Sequence, residues 1–248
     1  MFNFFVDESN KNGRQYVIEG ADYNHIKSVL RMKIGEECLV SCNGRSDLCR
    51  IEAFYDNAVS LEVVEENYMT TELPVKIYLF QGLPKGDKME LIIQKSVELG
   101  VEEITPVEMN RCVVKLDDKK KKSKTARWQS IAESAAKQSK RTIIPEVHDA
   151  ITIKQLKNCF SDFDILLVPY ESKNGMQDTK TALEKITSGM TVGILIGPEG
   201  GFDESEIKAV TDMGAHVISL GKRILRTETA AITALSMCML YAEMNLGE

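Results

Sequence analysis

The chain has 248 residues, of which 43% are hydrophobic, 27% charged and 6% aromatic, and this composition is that of a globular protein with one large or two smaller domains. No run of 18 uninterrupted apolar residues occurs, which excludes a membrane-spanning helix, and the N-terminus has neither the basic start nor the apolar stretch of a signal peptide. The formal net charge of −6 argues against broad binding of nucleic acid.

The cysteines and histidines are scattered along the chain. None of the six cysteines has the spacing of a Cys-x-x-Cys metal clamp or of a disulfide framework. The three histidines are far apart in sequence, which argues against a zinc site or a histidine-centred triad. We therefore expect reduced thiols in a cytoplasmic protein that holds no metal.

The first 72 residues are rich in short strand-like segments separated by turn-forming residues. The predicted strands are Tyr16–Ile18, Cys38–Val40, Cys49–Ile51 and Val59–Val63. The pair Asn43-Gly44 favours a tight hairpin, and one helix-like patch covers His25–Arg31. This pattern predicts a small β-barrel, a fold that often binds oligonucleotides. The polar stretch 65–74 indicates a linker, so we expect domains at 1–72 and 73–248.

The rest of the chain alternates between strand-like and helix-like segments. The predicted strands are Val75–Gln81, Ile104–Val107, Ile143–Val147, Asp164–Pro169, Val192–Ile196 and His216–Leu220. The predicted helices are Asp87–Leu99, Ser123–Lys140, Thr152–Phe160, Thr179–Ile186, one that begins with a capping box of Asp203 and Glu206, and Thr227–Asn245. Such alternation predicts an α/β fold with a mostly parallel sheet covered by helices on both faces.

Positive charge is concentrated in residues 111–141, which contain eleven lysines and arginines against three acidic residues. A basic block within an acidic protein suggests local contact with a polyanion. For Lys119–Lys122 a solvated flexible loop is an equally good interpretation.

Two loops that each follow a predicted strand and precede a predicted helix are candidates for a ligand site. The first is Ile196–Phe202 (IGPEGGF), where glycine lets the backbone approach a ligand closely, although such a turn can also be a tight corner. The second is Leu220–Ala230 (LGKRILRTETA), in which Thr227 or Thr229 could cap the helix and Glu228 could favour its positive end. Neither loop has the spacing of a dinucleotide fingerprint or a P-loop. Pro169–Glu171 could form a further side of the same pocket.

These two loops resemble the signature of the RsmE family in the SPOUT superfamily. The segments HIKSVLRMKIG (25–35), LPKGDKMELIIQKSVELGV (83–101) and RWQSIAESAAKQSKR (127–141) resemble it as well, so the resemblance covers essentially the whole chain. Members of this family methylate N3 of a uridine in 16S ribosomal RNA of the small ribosomal subunit. The resemblance implies a PUA-like β-barrel before a SPOUT methyltransferase domain with a C-terminal trefoil knot, a homodimer, and S-adenosyl-L-methionine as cofactor. Many relatives have arginine where this chain has Asn3, so no RNA contact is expected there.

The resemblance also implies a set of cofactor-binding residues in the three loops. They are Pro169, Tyr170, Ile196, Gly197, Pro198, Gly200, Gly201, Leu220, Gly221, Ile224, Leu225, Thr229 and Ala230.

Methylation of uracil N3 requires that the imide proton leaves, so the site must accept that proton or stabilise the resulting anion. We favour Arg226 as the residue that stabilises the anion, because its guanidinium donors can face a ring oxygen. Glu228 and Glu199 are candidate bases, and a good base would need a raised pKa.

Contact with RNA is expected from basic and polar residues of both predicted domains. These are Arg14, His25, Arg31, Arg111, Arg127, Lys137, Gln138, Lys140 and Arg141. Gln138 could equally be an ordinary surface residue, His25 could equally be a local cap, and Trp128 fits the core better than a base-stacking platform. Two other functions remain open at this point: a ribose 2′-O-methyltransferase with the same fold and cofactor, and a non-catalytic RNA-binding or assembly factor.

Overall fold

The computed structural model describes residues 1–159, 162–171 and 175–247, with the side chains of 118, 157 and 159 left aside. The chain divides into two compact units. The N-terminal unit consists of Met1–Glu72 with Ala136–Ile144, and the C-terminal unit consists of Leu73–Ala135 with Pro145–Glu248.

The N-terminal unit contains a six-stranded sheet. Its strands are β1 (Asn3–Phe5), β2 (Lys11–Asn12), β3 (Gln15–Glu19), β4 (Glu37–Cys42), β5 (Arg45–Phe54) and β6 (Ala58–Met69). They are ordered β1-β4-β5-β6-β3-β2, and all pairs are antiparallel except β1 with β4. Asn43 and Gly44 form the two-residue turn between β4 and β5, both with positive φ (49° and 75°), as a type I′ turn requires.

Buried side chains of this sheet form one hydrophobic core. Tyr16 and Ile18 alternate with more exposed neighbours along β3, which gives that strand a buried and a solvent-facing side. Tyr23 and Ile26 join this core from a helix, α1 (Gly20–Asn24), and the π-helical turn that follows it at His25–Val29. The helix predicted at His25–Arg31 therefore begins five residues earlier and ends before Arg31, which adopts a left-handed conformation with φ of 54°.

Arg141 is a buried residue of the N-terminal unit, with only 2% of its surface exposed. Its Nε donates to both carboxylate oxygens of Glu72 at 3.0 and 2.8 Å, and Asn3 Nδ2 donates to its backbone oxygen at 2.9 Å. A guanidinium enclosed in this way is satisfied by protein groups and is not presented to a phosphate. The expectation that Arg141 contacts RNA is corrected accordingly, and Asn3 has a structural role.

The pairing of Glu72 with Arg141 predicts a dependence of stability on pH. Burial opposes ionisation of Glu72, but hydrogen bonds from Arg141 and Thr142 outweigh it and hold the pKa of the carboxyl below its usual value. The stabilisation is therefore present above about pH 4.3, the pKa of an unfolded glutamate, and is lost as the pH falls through the lower folded pKa.

Replacing Glu72 by glutamine leaves the buried guanidinium without its counter-charge. Because 23% of the Glu72 side chain is exposed, we expect a loss near the lower end of the range for broken buried pairs, about 3 kcal/mol at pH 7. Urea unfolding measures the difference in the free energy of unfolding between wild type and Glu72→Gln at pH 7 and at pH 3. This difference should be smaller at pH 3. A variant as stable as the wild type at pH 7 would contradict the interpretation.

The C-terminal unit contains a seven-stranded parallel sheet. Its strands are β7 (Lys76–Gly82), β8 (Val101–Glu108), β9 (Glu146–Val147), β10 (Ile151–Thr152), β11 (Ile165–Pro169), β12 (Thr191–Ile196) and β13 (His216–Ile218). The order is β10-β8-β7-β12-β11-β13, with β9 also paired to β8, and each of these pairings is parallel. The central strands β7 and β12 are almost continuously buried, as expected for a sheet that helices cover on both faces. The prediction of a mostly parallel α/β sheet is confirmed.

Within the described residues, six helices follow β7 along the chain. They are α2 (Lys88–Glu98), α3 (Asp118–Ser139), α4 (Ile153–Cys159), α5 (Gln177–Leu183), α6 (Glu204–Asp212) and α7 (Thr227–Asn245). The predicted capping box of Asp203 and Glu206 is confirmed at the start of α6. The predicted end of α4, Phe160, lies outside the described residues. No helix in the described part of the chain is both long and apolar enough to cross a lipid bilayer.

The helix α3 begins five residues before its predicted start at Ser123 and includes the lysine run. Asp117 accepts a hydrogen bond from the Lys120 amide at 2.8 Å and forms an ion pair with the Lys120 ammonium. Lys121 pairs with Glu108 at 3.0 Å. These acidic partners explain why the lysine run 119–122 is helical although its ammonium groups repel one another. Trp128 on the same helix is buried, as predicted.

Candidate active site

A cavity of about 440 Å³ lies at the carboxyl ends of parallel strands in the C-terminal unit. Loops that follow β11, β12 and β13 line it, together with the start of α7 and one residue of α2. The lining residues are Lys88, Pro169, Tyr170, Glu171, Ile196, Gly197, Pro198, Glu199, Gly201, Phe202, Ser219, Leu220, Gly221, Lys222, Arg223, Ile224, Leu225, Arg226, Thr227 and Ala230. The two candidate loops, which are separated in sequence by a helix (Glu204–Asp212) and β13, thus line the same cavity.

Most of the predicted cofactor-binding residues line this cavity, but Gly200 and Thr229 do not. A Cβ atom at Gly200 would lie 2.9 Å from the Cβ of Arg111, so the glycine allows close packing of that side chain. Thr229 is exposed on the first turn of α7. Among the candidate catalytic residues, Glu199 and Arg226 line the cavity, whereas Glu228 is not one of its lining residues.

The first loop is held against the end of β7 by a close backbone approach. A Cβ atom at Gly82 would lie 2.6 Å from the backbone nitrogen of Pro198, a distance that only glycine allows. Gly201 completes the loop with a positive φ of 67°. The Phe202 ring, which follows, is buried and contacts Tyr170 edge-on with ring centroids 6.3 Å apart.

A chain of two hydrogen bonds that starts at β7 joins the two loops. Gln81 Nε2 donates to Thr227 Oγ1 at 2.9 Å, and Thr227 Oγ1 donates to the backbone oxygen of Gly197 at 2.6 Å. Thr227 is the first residue of α7, and Arg226 occupies the capping position without a side-chain cap bond. The expectation that Thr227 or Thr229 caps the helix is therefore wrong, because the Thr227 hydroxyl is engaged with the neighbouring loop.

Both candidate carboxylates contact the same lysine. Lys88 Nζ lies 2.9 Å from Glu199 Oε1 and 3.3 Å from Glu228 Oε2. Burial opposes ionisation of Glu199, but the Lys88 ammonium and the Lys85 amide outweigh it and hold the pKa of this carboxyl below its usual value. A proton acceptor with a lowered pKa is a weak base, which disfavours Glu199 in that role.

Arg226 is exposed at the N-terminus of α7 and shares the cavity rim with Lys222 and Arg223. Ile224, between them, is an apolar side chain with 85% of its surface exposed. The cavity therefore combines an apolar portion with a cluster of guanidinium and ammonium donors, which suits a ligand with both apolar and anionic parts.

The predicted RNA-binding residues of the C-terminal unit have protein partners. Arg111 Nη1 donates to the Gly200 backbone oxygen at 3.2 Å, which places this residue beside the cavity loop. Arg127 Nε lies 2.7 Å from Glu90 Oε1, with 64% of its side chain exposed.

The predicted RNA-binding residues of the N-terminal unit fall into two groups, one with protein partners and one without burial. Arg14 donates to the Val63 backbone oxygen, Lys137 pairs with Asp22 at 2.9 Å, and Arg141 is buried. The others lie exposed on the surface, namely His25, Arg31, Gln138 and Lys140.

Sequence reasoning did not single out Lys88 or Gln81 as functional residues. In the sequence, Lys88 was noted only as part of the segment 83–101. A positive charge at the first position of a helix is unfavourable because of the helix dipole, and this could have marked Lys88 as a functional residue. Gln81 offered no signal, because a polar residue at the end of a buried strand is compatible with many environments. Within the described residues, no group of three or more His, Cys, Asp or Glu side chains could hold a metal ion.

Comparison with known proteins assigns the chain to a family. Residues 71–239 match the model of an RNA methyltransferase domain, and residues 18–62 match that of an RNA methyltransferase PUA domain. The chain is 40% identical over 237 residues to ribosomal RNA small subunit methyltransferase E of Bacillus subtilis, covering 94% of this chain and 93% of the relative. It is 35% identical to the protein of that name from Mesomycoplasma hyopneumoniae, covering 96% and 99%.

A solved structure supports the same assignment. Ribosomal RNA small subunit methyltransferase E from Neisseria gonorrhoeae, bound to S-adenosyl methionine, superposes with a TM-score of 0.81 at 30% identity, covering 97% of each chain. The resemblance found in the loops and motifs is thereby confirmed. The chain belongs to the ribosomal RNA small subunit methyltransferase E family of RNA methyltransferases.

Proposed function

We propose that the protein transfers a methyl group from S-adenosyl-L-methionine to N3 of a uridine in 16S ribosomal RNA of the small ribosomal subunit. One observation carries this proposal: the two loops that bear the family motifs line a single cavity, with Arg226 at its rim. A non-catalytic binding protein would have no need of such a cavity.

The cavity has features that fit S-adenosyl-L-methionine. Its volume of about 440 Å³ lies within the range of small-molecule sites. Gly197 and Leu220, whose backbone groups we assign to the adenine, line the cavity together with the apolar residues Ile224 and Leu225. When bound, this cofactor supplies a methyl group on a positively charged sulfur.

The chemical step requires that the uracil imide loses its N3 proton. Arg226 is the residue we assign to the stabilisation of the resulting anion, because its exposed guanidinium lies at the cavity rim and offers several donors in one plane. The lowered pKa of Glu199, held down by Lys88 and Lys85, disfavours it as the base, and Glu228 stays the other candidate.

Neutralisation of RNA phosphates falls to exposed basic residues. We assign this role to the exposed Arg31, Arg111, Arg127 and Lys140 and to Lys137, which is half-buried beside Asp22. Arg14, His25 and Gln138 are further contacts, and the buried Arg141 is omitted.

The charge reversal Lys140→Glu should weaken binding of 16S RNA and lower the slope of log Kd against log salt concentration by about 1. Fluorescence anisotropy at a series of salt concentrations measures both quantities. Lys208→Glu is the matched control, because Lys208 is similarly exposed on α6, outside the proposed RNA-binding set. Equal losses in the two variants would show a general charge effect and would contradict the assignment.

The family also supports a proposal for the domain organisation and the oligomeric state of this chain. We propose a PUA-like β-barrel at 1–72, a methyltransferase domain at 73–248 with a trefoil knot, and a cytoplasmic homodimer that holds no metal. The dimer is supported by α7, which buries Ala231, Leu235 and Cys238 on one side, while Leu240 and Met244 on other sides are 47% and 73% exposed. A helix with apolar residues all round usually has a second partner.

The proposed reaction is tested by incubating the protein and S-adenosyl-L-methionine with unmethylated 30S subunits and with naked 16S RNA, followed by nucleoside analysis. N3-methyluridine is expected. A 2′-O-methyl nucleoside would point to a ribose methyltransferase, and no product from either substrate would contradict the proposal.

A further inference from the structure

Lys88 occupies a position where a lysine is unfavourable on local grounds. It is the first residue of α2, where the aligned peptide dipoles favour negative charge, and the preceding Asp87 makes no side-chain cap bond. Violations of a local rule in natural proteins tend to lie at functional sites. Lys88 is also a lining residue of the cavity, so its charge faces the proposed active site.

The Lys88 ammonium connects two segments that are far apart in sequence. Its contacts with Glu199 and Glu228, at 2.9 and 3.3 Å, reach the first cavity loop and the first turn of α7. Glu199 is held a second time from the same side, because the Lys85 amide donates to its Oε1 at 3.1 Å. The Lys85 amide and the Lys88 ammonium thus hold the first loop through two donors.

The Lys88 ammonium offsets the negative charges of Glu199 and Glu228. One ammonium lies between two carboxylates, and Glu228 Oε2 is enclosed by protein. Other charged groups that line the cavity are Glu171, Lys222, Arg223 and Arg226. If the ammonium were absent, two like charges would face each other in a partly buried place, and one carboxyl would take up a proton more readily.

We propose that Lys88 is a positioning residue of the active site, which holds Glu199 and Glu228 together as an ionised pair and so sets the spacing of the two loops around the reacting groups. This inference rests on the proposed methyltransferase function. It adds a residue that acts through the two carboxylates rather than on the substrate.

The test compares Lys88→Met with Lys88→Arg. We expect the methionine variant to lose on the order of a hundredfold in kcat, because small displacements of catalytic groups are costly, and the arginine variant to recover most of that loss. Lys95→Met is the matched control, since Lys95 lies on the same helix and pairs with Glu98 at 2.8 Å away from the cavity. It should stay within about twofold of wild type.

A second measurement detects the ion pair without relying on turnover. Titration of ¹³C-labelled glutamate carboxyl groups by NMR, assigned with Glu199→Gln and Glu228→Gln, should show one of the two carboxyls titrating at higher pH in Lys88→Met than in wild type.

The two proposals fail in distinguishable ways. A wild-type product other than N3-methyluridine overturns the proposed substrate atom, while the carboxyl titration still decides the role of Lys88. Unchanged carboxyl titration in Lys88→Met, or a kcat within twofold of wild type, overturns the positioning role whatever the product.

Discussion

Replacing Arg226 by alanine is expected to lower the turnover of RNA methylation by roughly 10²- to 10⁴-fold and to leave the affinity for S-adenosyl-L-methionine nearly unchanged. The guanidinium lies at the rim of the cavity, at the capping position of α7, and makes no side-chain cap bond there. Its removal therefore costs the helix little, while the developing negative charge on the uracil ring loses its principal donor.

Single-turnover kinetics with saturating RNA and isothermal titration of the cofactor measure the two quantities separately. Arg223→Ala is the matched control, because Arg223 also lines the cavity and is exposed. Arg226→Lys keeps the charge but loses the planar set of donors, so we expect an intermediate rate. Turnover of Arg226→Ala equal to that of Arg223→Ala would remove Arg226 from the chemical step.

Hydrophobic pattern and loop chemistry predict the C-terminal unit well. The helix α7 begins and ends at the predicted residues, because a long apolar segment between a polar turn and a glycine leaves few alternatives. The capping box at Asp203 and the strands β11 and β12 are also confirmed, because each was predicted from the residues of its own segment. That both motif loops would meet at one sheet edge follows from the rule that parallel strands end together.

Contacts between distant segments could not be predicted in this way. The short strands β1 and β2 lack a pattern of their own and exist because neighbouring strands offer backbone partners. Arg141 belongs to a basic stretch in sequence, and its burial follows from Glu72, which is 69 residues away. The pairing of Lys88 with two carboxylates similarly depends on how three segments converge.

Replacing Gly197 by valine is expected to weaken the binding of S-adenosyl-L-methionine by at least about a hundredfold, on the order of 3 kcal/mol. A Cβ atom at this position would lie 3.1 Å from Phe202 Cε2, and Phe202 cannot yield easily because it is buried against Tyr170. The two methyl groups of valine would therefore displace the loop or enter the cavity, and either outcome blocks approach of a ligand to the backbone.

Gly197→Ala provides a graded comparison, because alanine adds the Cβ atom alone and should bind the cofactor with intermediate affinity. Thermal unfolding of both variants separates a local block from loss of the fold: a folded alanine variant with weakened binding supports a steric cause even if the valine variant is unstable. Since Gly197 also accepts the hydrogen bond from Thr227, a displaced loop should in addition lower the rate of Gly197→Ala at saturating cofactor. Calorimetry that gives the wild-type affinity for Gly197→Val would place the cofactor away from this loop and would contradict the assignment of the cavity.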